Sequence, residues 1–378
     1  MLKQRLTLLT LLLLILVVVL GFGSVTYASQ VNTVKMEHGG FERTFDYYVP
    51  PSYDGSEAIP VVFSFHGLGR DPAEQQLLTR LVFLAEVEGF IAVFPASTTL
   101  EGDHEALPAL PNANKQWNIG LPRSLQYFEG VDDVGFIEAI IDYLTGKYKI
   151  DKTQVFATGF SNGAMFSYYL AAKIPDIIAG IGAVGAGAPL NIAEMKDELK
   201  PVPVIIIMGT EDPIVPYEGR EGSFMSAEAT ASFWVEINGI NAEPEVEYLD
   251  PIKDDDPTLI KRTSWTEGIN GTAVILYTVE GGGHTWPGGH QYFPAEFIGL
   301  SSQQMDGSAA IWKDFVEYGH QAKAELGVEY GNQDNTDLRI ENERQANAGL
   351  NWTYYAGAGA LLLLIMLIIV RSTRKKKP

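Results

Sequence analysis

The sequence contains no cysteine. Disulfides, thiolate metal sites and a thiol nucleophile are therefore excluded, and the compartment has to be read from targeting signals instead. Positive charge is also scarce: 27 Lys and Arg stand against 47 Asp and Glu, a net charge of -20. Phosphate binding needs a basic face, so a nucleic-acid partner is not expected. Histidine is rare as well, with six in 378 residues, so any chemistry that needs an imidazole has few candidates. Internal repeats are also lacking.

Long apolar runs do occur, one at each end. Lys3 and Arg5 precede an apolar run from Leu6 to Leu20, followed by small residues at Ser24, Thr26 and Ala28. This is the pattern of a secretory signal over 1–28, with an uncleaved anchor as the alternative. The second run, Trp352 to Val370, is uncharged and long enough to cross ~30 Å of hydrocarbon as a helix. Trp352, Tyr354 and Tyr355 sit at one border and Arg371, Arg374 and Lys375 to Lys377 at the other. Aromatic rings favour the interface and basic residues the cytoplasmic side, so the tail 371–378 is expected inside and the bulk of the chain outside the cytoplasm, tethered to the cell membrane. The polar stretch 325–351 is expected as a stalk.

Between these ends, 29–324 alternates β-rich runs with amphipathic helical stretches. That is the pattern of an α/β domain with a mostly parallel sheet covered by helices on both faces. Strands are expected at Phe41 to Val49, Val61 to His66, Phe90 to Phe94, Gln154 to Thr158, Ile178 to Val184, Val204 to Met208, Val246 to Leu249, Leu259 to Trp265 and Ala273 to Thr278. Helices are expected near Glu74 to Glu88, Asp132 to Tyr148, Asn162 to Lys173, Ala227 to Asn238 and Asp306 to Gly319. Two long irregular segments, Thr98 to Tyr127 and Gly281 to Leu300, interrupt the alternation, and such loops often carry function.

The stretch "TGFSNGA" places Ser161 between Gly159 and Gly163, immediately after one predicted strand and before a predicted helix. This is the pattern of a nucleophile elbow, whose glycines relieve crowding where a tight turn lifts the serine above the sheet. A serine hydroxyl needs a base to take its proton and an acid to orient that base. In an elbow fold the chain order is serine, acid, base. That order leaves His284, His290 and His320, and sets aside His38, His66 and His104. His284, in "GGGHTWPGG" just past a predicted strand, is favoured. For the acid, "GTEDPIVP" follows an apolar strand at the sheet edge where ligands gather. Asp212 is preferred to its neighbour Glu211, and the run Asp254 to Asp256 reads as a solvated loop. "HGLG" at His66 to Gly69 follows another strand and supplies Leu68 N–H, which with Asn162 N–H would form an oxyanion hole. Trp117, Asn118 and Trp286 are candidates to line a substrate pocket, anchoring of the loops being the alternative.

With the further stretches "YYVPPSY", "QWNIG" and "DDVGFIEAIIDYL", these motifs stand in the order found in the polyhydroxybutyrate depolymerase and feruloyl esterase group of α/β-hydrolases, which Phe41 to Gly319 resembles. The resemblance implies an α/β-hydrolase fold and a serine esterase acting on small ester or oligoester substrates through an acyl-serine. Ser161 would be the nucleophile, Asp212 the acid and His284 the base. It implies no metal and no organic cofactor. Two features depart from the group: many secreted relatives carry disulfides, and free depolymerases lack a membrane anchor. A serine peptidase of the same fold and a silent surface-binding module are the competing readings. Acyl preference and oligomeric state are not legible here.

Overall fold

The computed structural model describes residues 31–99, 115–121 and 130–324. The expected signal segment, stalk, membrane helix and basic tail, and most of the loop from Thr98 to Tyr127, lie outside the described residues. Among the described residues, no helix is long and apolar enough to cross a membrane.

Ten strands form one sheet: β1 (Asn32–His38), β2 (Phe41–Tyr48), β3 (Ile59–Phe65), β4 (Ile91–Pro95), β5 (Ile150–Phe160), β6 (Ile178–Val184), β7 (Val204–Gly209), β8 (Glu245–Tyr248), β9 (Leu259–Trp265) and β10 (Val274–Glu280). Their order across the sheet is β1-β2-β4-β3-β5-β6-β7-β10-β9-β8. The six central strands, β4 through β10 in that order, run parallel. Two strands at each edge pair antiparallel. The sheet is thus mixed, with its parallel part at the centre. The reason is burial: β7 (VIIIMG) and β4 (IAVFP) are buried at every position, as strands covered on both faces require. By contrast β1 alternates half-buried with exposed residues, and β8 is exposed throughout.

Alternate residues of the strands feed two separate cores. Val61, Phe63, Ile206 and Met208 face one, with Phe136, Ile140, Ala164, Leu170 and Trp234 from helices α3 (Asp133–Thr145), α4 (Asn162–Lys173) and α5 (Ala227–Ile237). Val62, Ile205 and Ile207 face the other, with Leu78, Leu81, Ala85, Ile311 and Phe315 from α1 (Pro72–Thr79), α2 (Leu81–Glu88) and α7 (Gly307–Ala324). A short α6 (Ala295–Ile298) lies in the loop after β10.

The single helix expected from Glu74 to Glu88 is two helices. Arg80 between them adopts a left-handed conformation, φ 55°. Thr79 Oγ1 donates to Gln75 O and accepts from Leu81 N–H, so its side chain serves the end of one helix and the start of the next. Asp71 caps α1 by accepting from Glu74 N–H at 3.0 Å, and Pro72 occupies its first position.

Candidate active site

Ser161 stands between β5 and α4 with φ 56° and ψ -117°, a strained conformation for a residue with a Cβ. Both flanking glycines are dictated by space. A Cβ on Gly159 would lie 2.4 Å from Gly163 C, and one on Gly163 would lie 2.2 Å from Phe65 O. The end of β3 and the start of α4 therefore approach more closely than side chains permit. Ser161 N–H donates to Val184 O at 2.8 Å, which fixes the turn to β6. The Ser161 hydroxyl itself has no hydrogen-bond partner among the described residues.

Asp212 follows β7 and is buried. Its Oδ1 accepts from Ile214 N–H and Val215 N–H, both at 2.8 Å. Its Oδ2 lies 2.7 Å from His284 Nδ1, with both side chains almost wholly buried. One carboxylate thus forms the turn and orients the imidazole. A carboxylate only accepts, so Nδ1 carries a proton, and it is Nε2 that bears the lone pair in the neutral form of the ring. The His284 ring packs against Phe160, the residue before Ser161, with centroids 4.7 Å apart.

Glycines also explain how His284 arrives here. A Cβ on Gly209 would lie 2.3 Å from Gly282 O, so the loop after β10 crosses directly over the end of β7. Gly283 N–H donates to Leu300 O at 2.9 Å, and Tyr292 Oη–H donates to His284 O at 2.9 Å.

The loop carrying Leu68 passes beside Ser161: a Cβ placed on Gly67 would lie 3.4 Å from Ser161 Cβ. Gly69 N–H donates to Lys115 O at 2.8 Å and Arg70 N–H to Gly67 O at 3.1 Å. Leu68 N–H has no partner among the described residues, and Asn162 N–H belongs to the unpaired first turn of α4. His66 holds the base of this loop. Its Nδ1–H donates to Gly67 O at 2.8 Å, and its Nε2 accepts from Ser97 N–H at 3.1 Å. Burial pushes its pKa down to about 4, so it is neutral.

Trp117 and Trp286, two of the three expected pocket residues, are buried anchors, and Asn118 borders an open cavity at the start of α3. Trp117 is fully buried, stacks on Phe166 and donates Nε1–H to His66 O at 3.0 Å. The Asn162 side chain clamps its backbone, Oδ1 accepting Trp117 N–H at 2.8 Å. Asn118 donates N–H to Asp133 Oδ2 at 2.8 Å and Nδ2–H to Val131 O at 3.0 Å. Trp286 is 1% exposed and lies in the core beneath α7. Large apolar rings go where most surface is removed from water, and here that place is the core rather than a cleft.

Of the other candidates, Glu211 and His290 are exposed, and the side chain of His320 is outside those described. Asp256 accepts from Thr258 N–H and Oγ1–H and from Gln303 N–H, tying its loop to the one after α6. Among the described residues, no cluster of His, Asp and Glu is suited to hold a metal.

An open cavity of about 190 Å³ beside Phe160 is lined by Leu77, Leu78, Tyr292, Arg70, Glu74 and Gln75, none of them foreseen in the sequence, and by His290. The Arg70 guanidinium stacks over the Tyr292 ring at 4.7 Å and pairs with Glu74 at 3.0 Å. The aromatic composition of the loop after β10 was the signal available for Tyr292.

Comparison with known proteins bears on the fold and on the class of enzyme. A family model described as phospholipase/carboxylesterase matches residues 123–237. A protein named as an esterase, NocK of Nocardia uniformis subsp. tsuyamanensis, is 29% identical over 66% of this chain and 72% of its own length. Feruloyl esterase B of Piromyces equi is 24% identical over 62% of this chain and 41% of its own length. The bifunctional acetylxylan esterase/xylanase of Neocallimastix patriciarum is 29% identical over 51% of this chain. This chain spans only 24% of that last protein. Among solved structures, an acetyl xylan esterase from Aspergillus awamori superposes with a TM-score of 0.50 at 17% identity, over 76% of this chain and 99% of that one. The fold is that of the α/β-hydrolases, and the resemblance to the feruloyl esterase group and to ester-hydrolysing enzymes is borne out.

Proposed function

We propose that this chain, a serine hydrolase of the α/β-hydrolase fold similar to feruloyl and acetylxylan esterases, cleaves esters of aromatic, hydroxycinnamoyl-type acids on the outer side of a cell membrane. The observation that carries the reading is the buried 2.7 Å contact of Asp212 with His284, whose ring abuts the elbow that holds Ser161.

In this reading His284 Nε2 takes the Ser161 Oγ proton as Oγ attacks the ester carbonyl carbon. The carbonyl electron pair moves to oxygen, which accepts from Leu68 N–H and Asn162 N–H. Collapse of the tetrahedral adduct breaks the bond to the leaving alcohol, which receives the proton from His284 and departs. Water, deprotonated by the same Nε2, then attacks the acyl-serine, and the carboxylic acid leaves with Ser161 restored. Nothing in this sequence calls for a metal or an organic cofactor.

Support for an aromatic acyl group comes from the cavity beside Phe160. Its volume of about 190 Å³ and its walls of Leu77, Leu78, Phe160 and Tyr292 suit a flat ring better than an acetyl group. The tether rests on the apolar stretch Trp352 to Val370 and its basic flank. Full-length protein in detergent should hydrolyse methyl ferulate faster than p-nitrophenyl acetate, and Ser161→Ala should hydrolyse neither. Preference for acetate, or for hydroxybutyrate oligomers, would reassign the acyl group. Peptide cleavage without ester cleavage would overturn the reading. Protease added to intact cells should digest the catalytic domain and spare a C-terminal tag.

A further inference from the structure

His284 is buried, and both polar groups of its backbone are engaged by the loop that it opens. Its N–H donates to Ile298 O at 2.5 Å, and its carbonyl accepts from Tyr292 Oη–H at 2.9 Å. The first bond is backbone to backbone, so any residue at position 298 supplies it. The second needs a side-chain donor of this reach at position 292. Burial raises the Tyr292 phenol above its ordinary range, so it keeps its proton and can donate.

The same side chain faces open space. Half-buried, it lines the cavity of about 190 Å³ with Leu77, Leu78 and Phe160, and its ring meets Phe160 edge to face at 6.1 Å. The Arg70 guanidinium lies over that ring at 4.7 Å and pairs with Glu74 at 3.0 Å. Arg70 N–H donates to Gly67 O at 3.1 Å, so the residue belongs to the turn that carries Leu68. Contacts thus run from the oxyanion loop through Arg70 and Tyr292 to the backbone of His284, along the wall of the cavity.

We propose that Tyr292 is a positioning residue for the base His284, and that Arg70 links it to the oxyanion loop, so that a group filling the cavity seats the base as it binds. The proposal rests on the reading of Ser161 as an ester-cleaving nucleophile with His284 as its base. The physical reason is distance. A base must stand within about 2.6–3.2 Å of the proton it takes, and misplacement by about an ångström can cost about a hundredfold in rate. Asp212 holds the ring at Nδ1, whereas Tyr292 holds the backbone from which the ring hangs. A cation is drawn to an aromatic face more strongly as water is excluded, so an acyl group that fills the cavity tightens the contact of Arg70 with Tyr292. Its binding is then expressed in kcat as well as in KM.

Tyr292→Phe keeps the ring, the cavity wall and the Arg70 contact, and removes the bond to His284. On full-length protein in detergent it should lower kcat about tenfold on both methyl ferulate and p-nitrophenyl acetate, with KM within about twofold of wild type. The proton between His284 Nδ1 and Asp212, read far downfield in the proton NMR spectrum, should broaden in the same variant well below its melting temperature. Arg70→Met should lower kcat on methyl ferulate about fivefold and, added to Tyr292→Phe, cost nothing further in kcat, because both act through one bond. An unchanged kcat in Tyr292→Phe, or a loss carried wholly by KM, would overturn the positioning role and leave the esterase reading intact. Additive losses in the double variant would overturn the link through Arg70. Cleavage of neither ester by wild type would sink the esterase reading, and this proposal with it.

Discussion

Asp212 Oδ2 meets His284 Nδ1 at 2.7 Å across 72 positions of sequence, while the other oxygen of the same carboxylate holds two backbone amides. The two tasks are separable. In Asp212→Asn, with the amide oxygen placed toward Ile214 and Val215, the turn survives but an N–H donor faces Nδ1. The imidazole is then forced to carry its proton on Nε2, where it cannot act as a base. Turnover should fall on the order of 10⁴-fold with little change in denaturation midpoint. Activity within tenfold of wild type would remove Asp212 from the mechanism.

The serine should separate activity from stability in a different way. Ser161→Ala should abolish turnover, by on the order of 10⁴-fold or more. Ser161→Gly should abolish it too, yet raise unfolding free energy by about 1 kcal/mol, because φ 56° and ψ -117° is strained for serine and open to glycine. Urea titration of the two variants checks this, and a Gly variant less stable than the Ala variant would show that the elbow stores no strain.

Gly163→Ala tests the close approach of β3 and α4. The added methyl meets Phe65 O at 2.2 Å and His66 O at 2.7 Å, both backbone atoms, so the helix or the oxyanion loop has to move. A loss of about 1–3 kcal/mol is expected, with a fall in kcat. Gly146→Ala is the control, since its methyl would meet nothing nearer than 3.5 Å.

His66 gives the pH dependence a sign. Its native pKa, near 4 through burial, lies below the ordinary histidine value of 6.5, so the unfolded chain binds its proton first as pH falls. The stabilisation is whole above pH 6.5 and is lost between 6.5 and about 4, a change on the order of 3 kcal/mol. Protonation also turns Nε2 into a donor facing Ser97 N–H. Unfolding free energy measured at pH 7 and pH 4.5 should show a steeper decline in wild type than in His66→Gln. Equal slopes would clear His66 of the effect.

The central strands were legible because parallel strands buried on both faces read as unbroken apolar runs, as in Val204 to Met208. The site was legible for a related reason: Ser161, Asp212 and His284 each follow such a run, and the structure sets the last two in contact. What escaped depended on partners distant in sequence. Arg80 gives no local sign that it will turn left-handed and divide a helix. β1 has the sparse apolar content of an edge and gains its register only against β2. Trp117 was readable as a pocket wall or an anchor until His66 O and Asn162 were seen to hold it. The cavity beside Phe160 combines α1 with the loop after β10, over 200 positions apart in sequence by roughly the spacing of Leu78 and Tyr292, and no local pattern joins them.

The edges of the sheet carry a consequence for life at high local concentration. A free edge presents unpaired amides and carbonyls, and is a template on which a second chain can add a strand. At one edge β8 is four residues long, and two of them are Glu245 and Glu247. At the other, β1 exposes Thr33, Lys35 and Glu37. Charge at both rims sets like charges against each other when copies crowd side by side, which disfavours strand addition at either edge and should restrain fibrous self-association where the domain's neighbours are its own kind.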